Sequence, residues 1–121
     1  MKIAISCENN KKDSKMDSRF GRCRYFYIHN LDSSEEYHIE NEGNSSGGGA
    51  GIAAAQQIIN EEVDAVISGN IGPNAYDLLK SSDIKMYRGN GDSCEKTIES
   101  LKNSELDEIK KAGPSHLGMR K

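Results

Sequence analysis

The chain has 121 residues, enough for one domain that buries roughly two thirds of the surface its unfolded form exposes. Its 16 Lys and Arg against 19 Asp and Glu give a formal net charge of -3, and no basic stripe marks a nucleic-acid or anionic-membrane partner. No run approaches the roughly 20 apolar residues of a membrane span, and Met1 to Ile5 is too short for a signal-peptide core, so the expectation is a cytoplasmic protein.

Lys2 to Ser6 is an apolar run that predicts a buried first strand, with Cys7 just past its carboxyl end. Lys11 to Ser18 is charged and without period, a loop leading into Arg19-Phe20-Gly21-Arg22-Cys23. Arg24 to His29 is aromatic and β-branched, a second strand; turn chemistry at Asn30 to Ser34 then leads into Glu35 to Glu40, which alternates like a half-exposed edge strand. His29 and His38 read as surface residues of this hairpin.

Next comes Asn44-Ser45-Ser46-Gly47-Gly48-Gly49-Ala50-Gly51, with four glycines in five positions, followed by a helix over Ile52 to Asn60. Such a loop lets the backbone approach a ligand and aims the free N–H groups of a helix start into it, forming a floor for an anion, unless it is only a tight turn. Val63 to Ser68 predicts a fourth, buried strand. Gly69-Asn70-Ile71-Gly72-Pro73-Asn74 repeats the arrangement of loop before helix, with Pro73 suited to the first turn and Ala75, Leu78 and Leu79 on the packed face. Ile84 to Tyr87 is a fifth strand, and Asp92 or Ser93 could cap a third helix that aligns Cys94, Ile98 and Leu101. The fold unit is thus 1–103, and 104–121 reads as a polar, mobile tail with a weak turn at Leu106 to Lys111.

The order β-β-β-α-β-α-β-α predicts an α/β fold with a five-stranded mixed sheet, strand 2 antiparallel to the rest, and about three helices. Ligands of such sheets sit beyond the carboxyl ends of the parallel strands. Cys7, Gly47 to Gly51, Asn70 to Gly72 and Arg88 to Cys94 leave on that edge, and Arg19 to Cys23 arrives there, so the topology brings all three cysteines together. Three thiols beside Arg19, Arg22 and two helix starts make an electropositive setting that favours thiolate and an anionic iron–sulfur species. Either all three thiols or a single one, Cys23 foremost, would contact it, and His116 could fold back as a further ligand.

Enzyme readings find little support. Gly49-Ala50-Gly51-Ile52-Ala53-Ala54 matches a dinucleotide pattern, but Ser68 stands where its acidic partner belongs. No Gly-Lys-Ser/Thr follows the glycines, and no carboxylates cluster at the strand ends as a two-metal nuclease requires. The expectation is a binding protein, not an enzyme.

Phe20-Gly21-Arg22-Cys23, Gly47-Gly48-Gly49-Ala50-Gly51-Ile52 and Ser68-Gly69-Asn70-Ile71-Gly72-Pro73-Asn74-Ala75 together resemble the dinitrogenase iron–molybdenum cofactor biosynthesis family, and Gly113 to Met119 is similar to a tail of some small members. The resemblance implies a ribonuclease-H-like α/β/α fold without nuclease activity, and a role in binding or carrying iron–sulfur or iron–molybdenum cofactor species. Many members have His where this chain has Arg19, and a His pair where it has Ser45-Ser46. Cys23, Cys7, Cys94 and His116 then remain as metal ligands, with Arg19, Arg22, Gly47, Gly48, Gly49, Gly51, Asn70 and Gly72 around the cargo. Expected partners are proteins that donate or accept the cluster, with the chain a monomer or weak dimer. The alternative is a metal-free module for a small anion or a protein partner.

Overall fold

Ile3, Ile5 and Cys7 face one side of the first strand, β1 (Lys2–Cys7), and Ala4 faces the other. Apolar residues on both faces of one strand mean that the sheet is covered on both sides. The computed structural model describes residues 1–45 and 49–113, and its sheet has that character. The strands β2 (Tyr25–Asn30) and β3 (Glu36–Glu40) form the expected hairpin, and a 3₁₀ turn at Glu42–Ser45 leads to α1 (Ala50–Asn60). There follow β4 (Ala65–Ser68), α2 (Pro73–Ser81), β5 (Lys85–Arg88), α3 (Cys94–Lys102) and β6 (Asp107–Glu108).

The sheet order is β3-β2-β1-β4-β5-β6. β1 pairs parallel to β4, and β4 to β5, whereas β2 is antiparallel to both β1 and β3. One core cluster packs α1 and α2, through Ala54, Ala55, Ile58, Ala75 and Leu79, against Ala4, Phe26, Ile28 and Val66. The other packs α3, through Cys94 and Ile98, against Ile3, Ile5, Tyr27 and Ile67. The result is three layers, α/β/α.

The sheet has six strands, not five. β6 is antiparallel to β5, and beyond it Ile109 is buried in the α1/α2 core and its N–H donates to Met86 O at 2.7 Å. The chain then runs to Gly113, whose N–H donates to Ile71 O at 2.9 Å. Residues 104–113 are therefore packed into the fold, contrary to the expected tail; 114–121 lie outside the described residues. No helix among the described residues is long and apolar enough to cross a membrane.

Candidate functional site

The carboxyl edge of β1, β4 and β5 is built over by the segment between β1 and β2. Asp17 N–H donates to Ser6 O at 2.8 Å, Asn70 N–H to Ser18 O at 2.6 Å, Phe20 N–H to Asn70 O at 3.2 Å and Met16 N–H to Asp92 O at 3.0 Å. The segment read as an aperiodic loop is thus stitched to three strand ends. Beneath it the buried hydroxyls of Ser6 and Ser68 lie 2.7 Å apart, and Ser6 donates to Asp17 O at 2.6 Å. Each hydroxyl has one proton, so Ser68 is the donor to Ser6.

Two helices begin side by side at this edge. A Cβ placed on Gly51, in the first turn of α1, would stand 3.5 Å from that of Ala75 in the first turn of α2. Among the described residues neither start has a side-chain cap: Gly49 precedes α1 in the left-handed region at φ 71°, and the extended Gly72 precedes α2. In contrast, the start of α3 is closed by Ser93, whose Oγ accepts from Lys96 N–H at 3.2 Å. The first-turn N–H groups of α1 and α2, with their aligned dipoles, can therefore accept negative charge. Arg22 is exposed beside them, since Gly21 packs against Gly51.

The thiols do not converge, which corrects the expectation drawn from topology. The backbone of all three cysteines reaches the same edge, but Cys23 points into the α1/α2 core, whereas Cys7 and Cys94 lie in the α3 core. A residue in a loop has no period to reveal its face. Cys23 is 0% exposed; its Sγ–H donates to Phe20 O at 3.4 Å and accepts Asn41 Nδ2 at 3.8 Å. Burial pushes its thiol far above the usual range, so Cys23 is a neutral core residue. Cys7 Sγ–H is within hydrogen-bond reach of Asn9 O at 3.4 Å and Tyr25 O at 3.5 Å, and the nearby thiols of Cys7 and Cys94 act on each other, Cys7 lowered and Cys94 raised. Among the described residues, no three His, Cys, Asp or Glu side chains are grouped to hold a metal ion. Cys23, Cys7 and Cys94 are therefore not grouped as a three-thiol set in this structure.

Arg19 is exposed but engaged: its N–H and Nε donate to Asp17 Oδ1 at 2.9 and 3.2 Å, and its Nη2 to Oδ2 at 3.0 Å. It borders an open cleft of about 510 Å³ with Glu8, Met16, Asp17, Gly89 and Asn90. With two carboxylates on its rim and its arginine paired, this cleft does not present positive charge. A second hollow, about 360 Å³ between α2, β5 and β6, is lined by Tyr76, Lys80, Ile84 and Glu108 and lies away from the glycine loops.

Of the other residues singled out in the sequence, Asn70 bridges to Arg19, and Gly47, Gly48 and His116 lie outside the described residues. His38 is half-buried, not a surface residue; its ring tilts against Tyr27 at 5.1 Å and its buried Nε2 has no hydrogen-bond partner. The Ser6–Ser68 pair, Asp17 and Met16 went unnoticed in the sequence. Only the position of the two serines at strand ends could have pointed to the first of these.

Residues 1–104 match the family model described as dinitrogenase iron-molybdenum cofactor. An uncharacterized protein of Methanocaldococcus jannaschii is 33% identical over 112 residues, covering 90% of this chain and 92% of the relative. The apo form of the orange protein from Desulfovibrio gigas superposes with a TM-score of 0.88 at 23% identity, over 93% and 95% of the two chains, a likeness of fold. A Thermotoga protein assigned provisionally to NifB gives a TM-score of 0.83 at 26% identity, over 95% and 98%.

Proposed function

The chain belongs to the dinitrogenase iron–molybdenum cofactor family, and from that premise we propose that it binds or carries an anionic iron–sulfur or iron–molybdenum-type cluster as cargo. The observation that carries this reading is the pair of uncapped helix starts, α1 and α2, side by side at the carboxyl edge of the sheet. Their N–H groups hold the cargo by hydrogen bonds and dipole, with Arg22 contributing charge at the rim. The three buried thiols take no part, so the cargo is held without a thiolate bond.

On this reading the protein catalyses nothing: it is a cytoplasmic monomer or weak dimer that receives the cluster from one protein and gives it to another. Retention by hydrogen bonds suits such a carrier, because release requires no metal–thiolate bond to break. The ribonuclease-H-like description of the three-layer fold, without nuclease chemistry, belongs to the same proposal.

The test is anaerobic reconstitution with iron and sulfide, followed by visible absorbance and metal counts. Ile52, 44% exposed in the first turn of α1, and Asn74, exposed in that of α2, are the positions to change. Ile52→Glu with Asn74→Glu places carboxylates in the first turns of both helices, which favours both helices but repels an anion. Uptake by the wild type that is lost in this variant supports the proposal. The burial of every thiol favours one other reading, a metal-free site for a small anion. A colourless wild type that is stabilised against heat by phosphorylated or carboxylated metabolites would establish it.

A further inference from the structure

Three sulfur-bearing residues, Cys7, Met16 and Cys94, are buried in the α3 core, on the opposite face of the sheet from Cys23. Cys7 and Met16 form an antiparallel bridge, so their side chains stand directly opposite one another on the same face. Cys94 belongs to the adjoining segment: its N–H donates to Ser14 O at 2.9 Å, while Met16 N–H donates to Asp92 O at 3.0 Å. The Cys94 and Cys7 thiols are near enough to shift each other's titration, and all three residues are buried in one cluster with Ile5 and Ile67.

Access distinguishes this group from an ordinary sulfur-containing core. Met16 lines the 510 Å³ cleft as well as the cluster, so it lies between solvent and the two thiols. Its thioether lies against Gly89, where a Cβ would stand 2.3 Å from Sδ and 3.2 Å from Ile67 Cγ2. Glu8, Asp17 and Arg19 line the same cleft, and with Asp17 paired to Arg19 the Glu8 carboxylate remains to favour entry of a cation over an anion. Two thiols and a thioether offer no hard oxygen or imidazole donor; such a set selects a soft ion of low charge over iron(II), magnesium or calcium.

The geometry points to Cys7, Met16 and Cys94 as a binding site for a soft, monovalent d¹⁰ cation, with Cu(I) the biological example. Both thiols give up their protons to solvent as the cation binds, and the neutral thioether completes a three-sulfur set, so the bound site carries one net negative charge. The site is separate from the starts of α1 and α2 and stands or falls independently of the cargo reading.

The experiment is an anaerobic titration in which the full chain competes for Cu(I) with a chromophoric chelator, bathocuproine disulfonate. The wild type is expected to withdraw one equivalent, with tighter binding as pH rises because two protons are released. Cys7→Ser and Cys94→Ser should each abolish competition, Cys23→Ser should leave it unchanged, and Met16→Leu should weaken it about tenfold. The near-isosteric Met16→Leu keeps the core filled, and its melting curve without metal separates lost ligation from lost folding. A wild type that never competes, or binding that survives Cys7→Ser and Cys94→Ser but fails with Cys23→Ser, would overturn the assignment.

Discussion

Gly21 and Gly51 touch backbone to backbone: a Cβ on Gly21 would stand 3.0 Å from both Cα and N of Gly51. The loop before β2 is thereby held against the first turn of α1, so the Phe-Gly-Arg-Cys stretch and the glycine loop form one structural joint. Gly21→Ala pushes the start of α1 away, and the expected cost is about 1–3 kcal/mol from overpacking. Thermal denaturation measures the loss, and amide exchange at Ala53 and Ala54 locates it.

Burial of Cys23 predicts a specific response to alkali. Its usual thiol value of 9.0 applies in the unfolded chain, whereas the folded chain holds the proton far above that. As pH rises through about 9 the unfolded state loses its proton and the native state does not, so stability falls. The slope for one such group is roughly 1.4 kcal/mol per pH unit. Urea unfolding between pH 8 and 10.5 should show a shallower decline in Cys23→Ala than in the wild type; parallel curves would mean that Cys23 is accessible.

The hydroxyl pair beneath the edge makes a separate prediction. Ser6→Ala leaves Asp17 O without its side-chain donor and Ser68 without its acceptor, at an expected cost of about 1–3 kcal/mol. Ser6→Ala with Ser68→Ala should cost less than the sum of the two single changes, because removing both partners leaves fewer unpaired groups. A double-mutant cycle by chemical denaturation reads the difference.

Ile109 tests the packing of the C-terminal segment. It is 4% exposed in the α1/α2 core, so Ile109→Ala should destabilise by about 2–5 kcal/mol. A change within error in the unfolding midpoint would mean that the core closes without β6.

The contrast between these positions shows which parts of the fold were legible. The apolar run through Ile3, Ala4 and Ile5, and the one ending at Ser68, give the strands away because each must satisfy two packed faces. β6 escaped because Asp107 and Glu108 are exposed and polar, and its pairing follows from the free edge of β5 and the anchoring of Ile109. The helix starts at Gly49 and Gly72 were legible through glycine and Pro73. The division of the cysteines was not: Cys23 precedes its strand, and its direction is set by Asn41, which donates to the carbonyls of Gly21 and Cys23 at 3.1 and 2.9 Å. Met16 sits in a charged stretch without period, and only the tertiary bridge to Cys7 gives it a face.

Cluster uptake measured in parallel on wild type, Cys23→Ala and the Ile52→Glu, Asn74→Glu variant tests the central claim most directly. The account predicts that wild type and Cys23→Ala take up iron and sulfide alike and develop the same visible absorbance, whereas the carboxylate variant stays colourless while remaining folded. Loss of the absorbance in Cys23→Ala with full uptake in the carboxylate variant would contradict it, and would make the buried thiol the ligand in place of the paired helix starts.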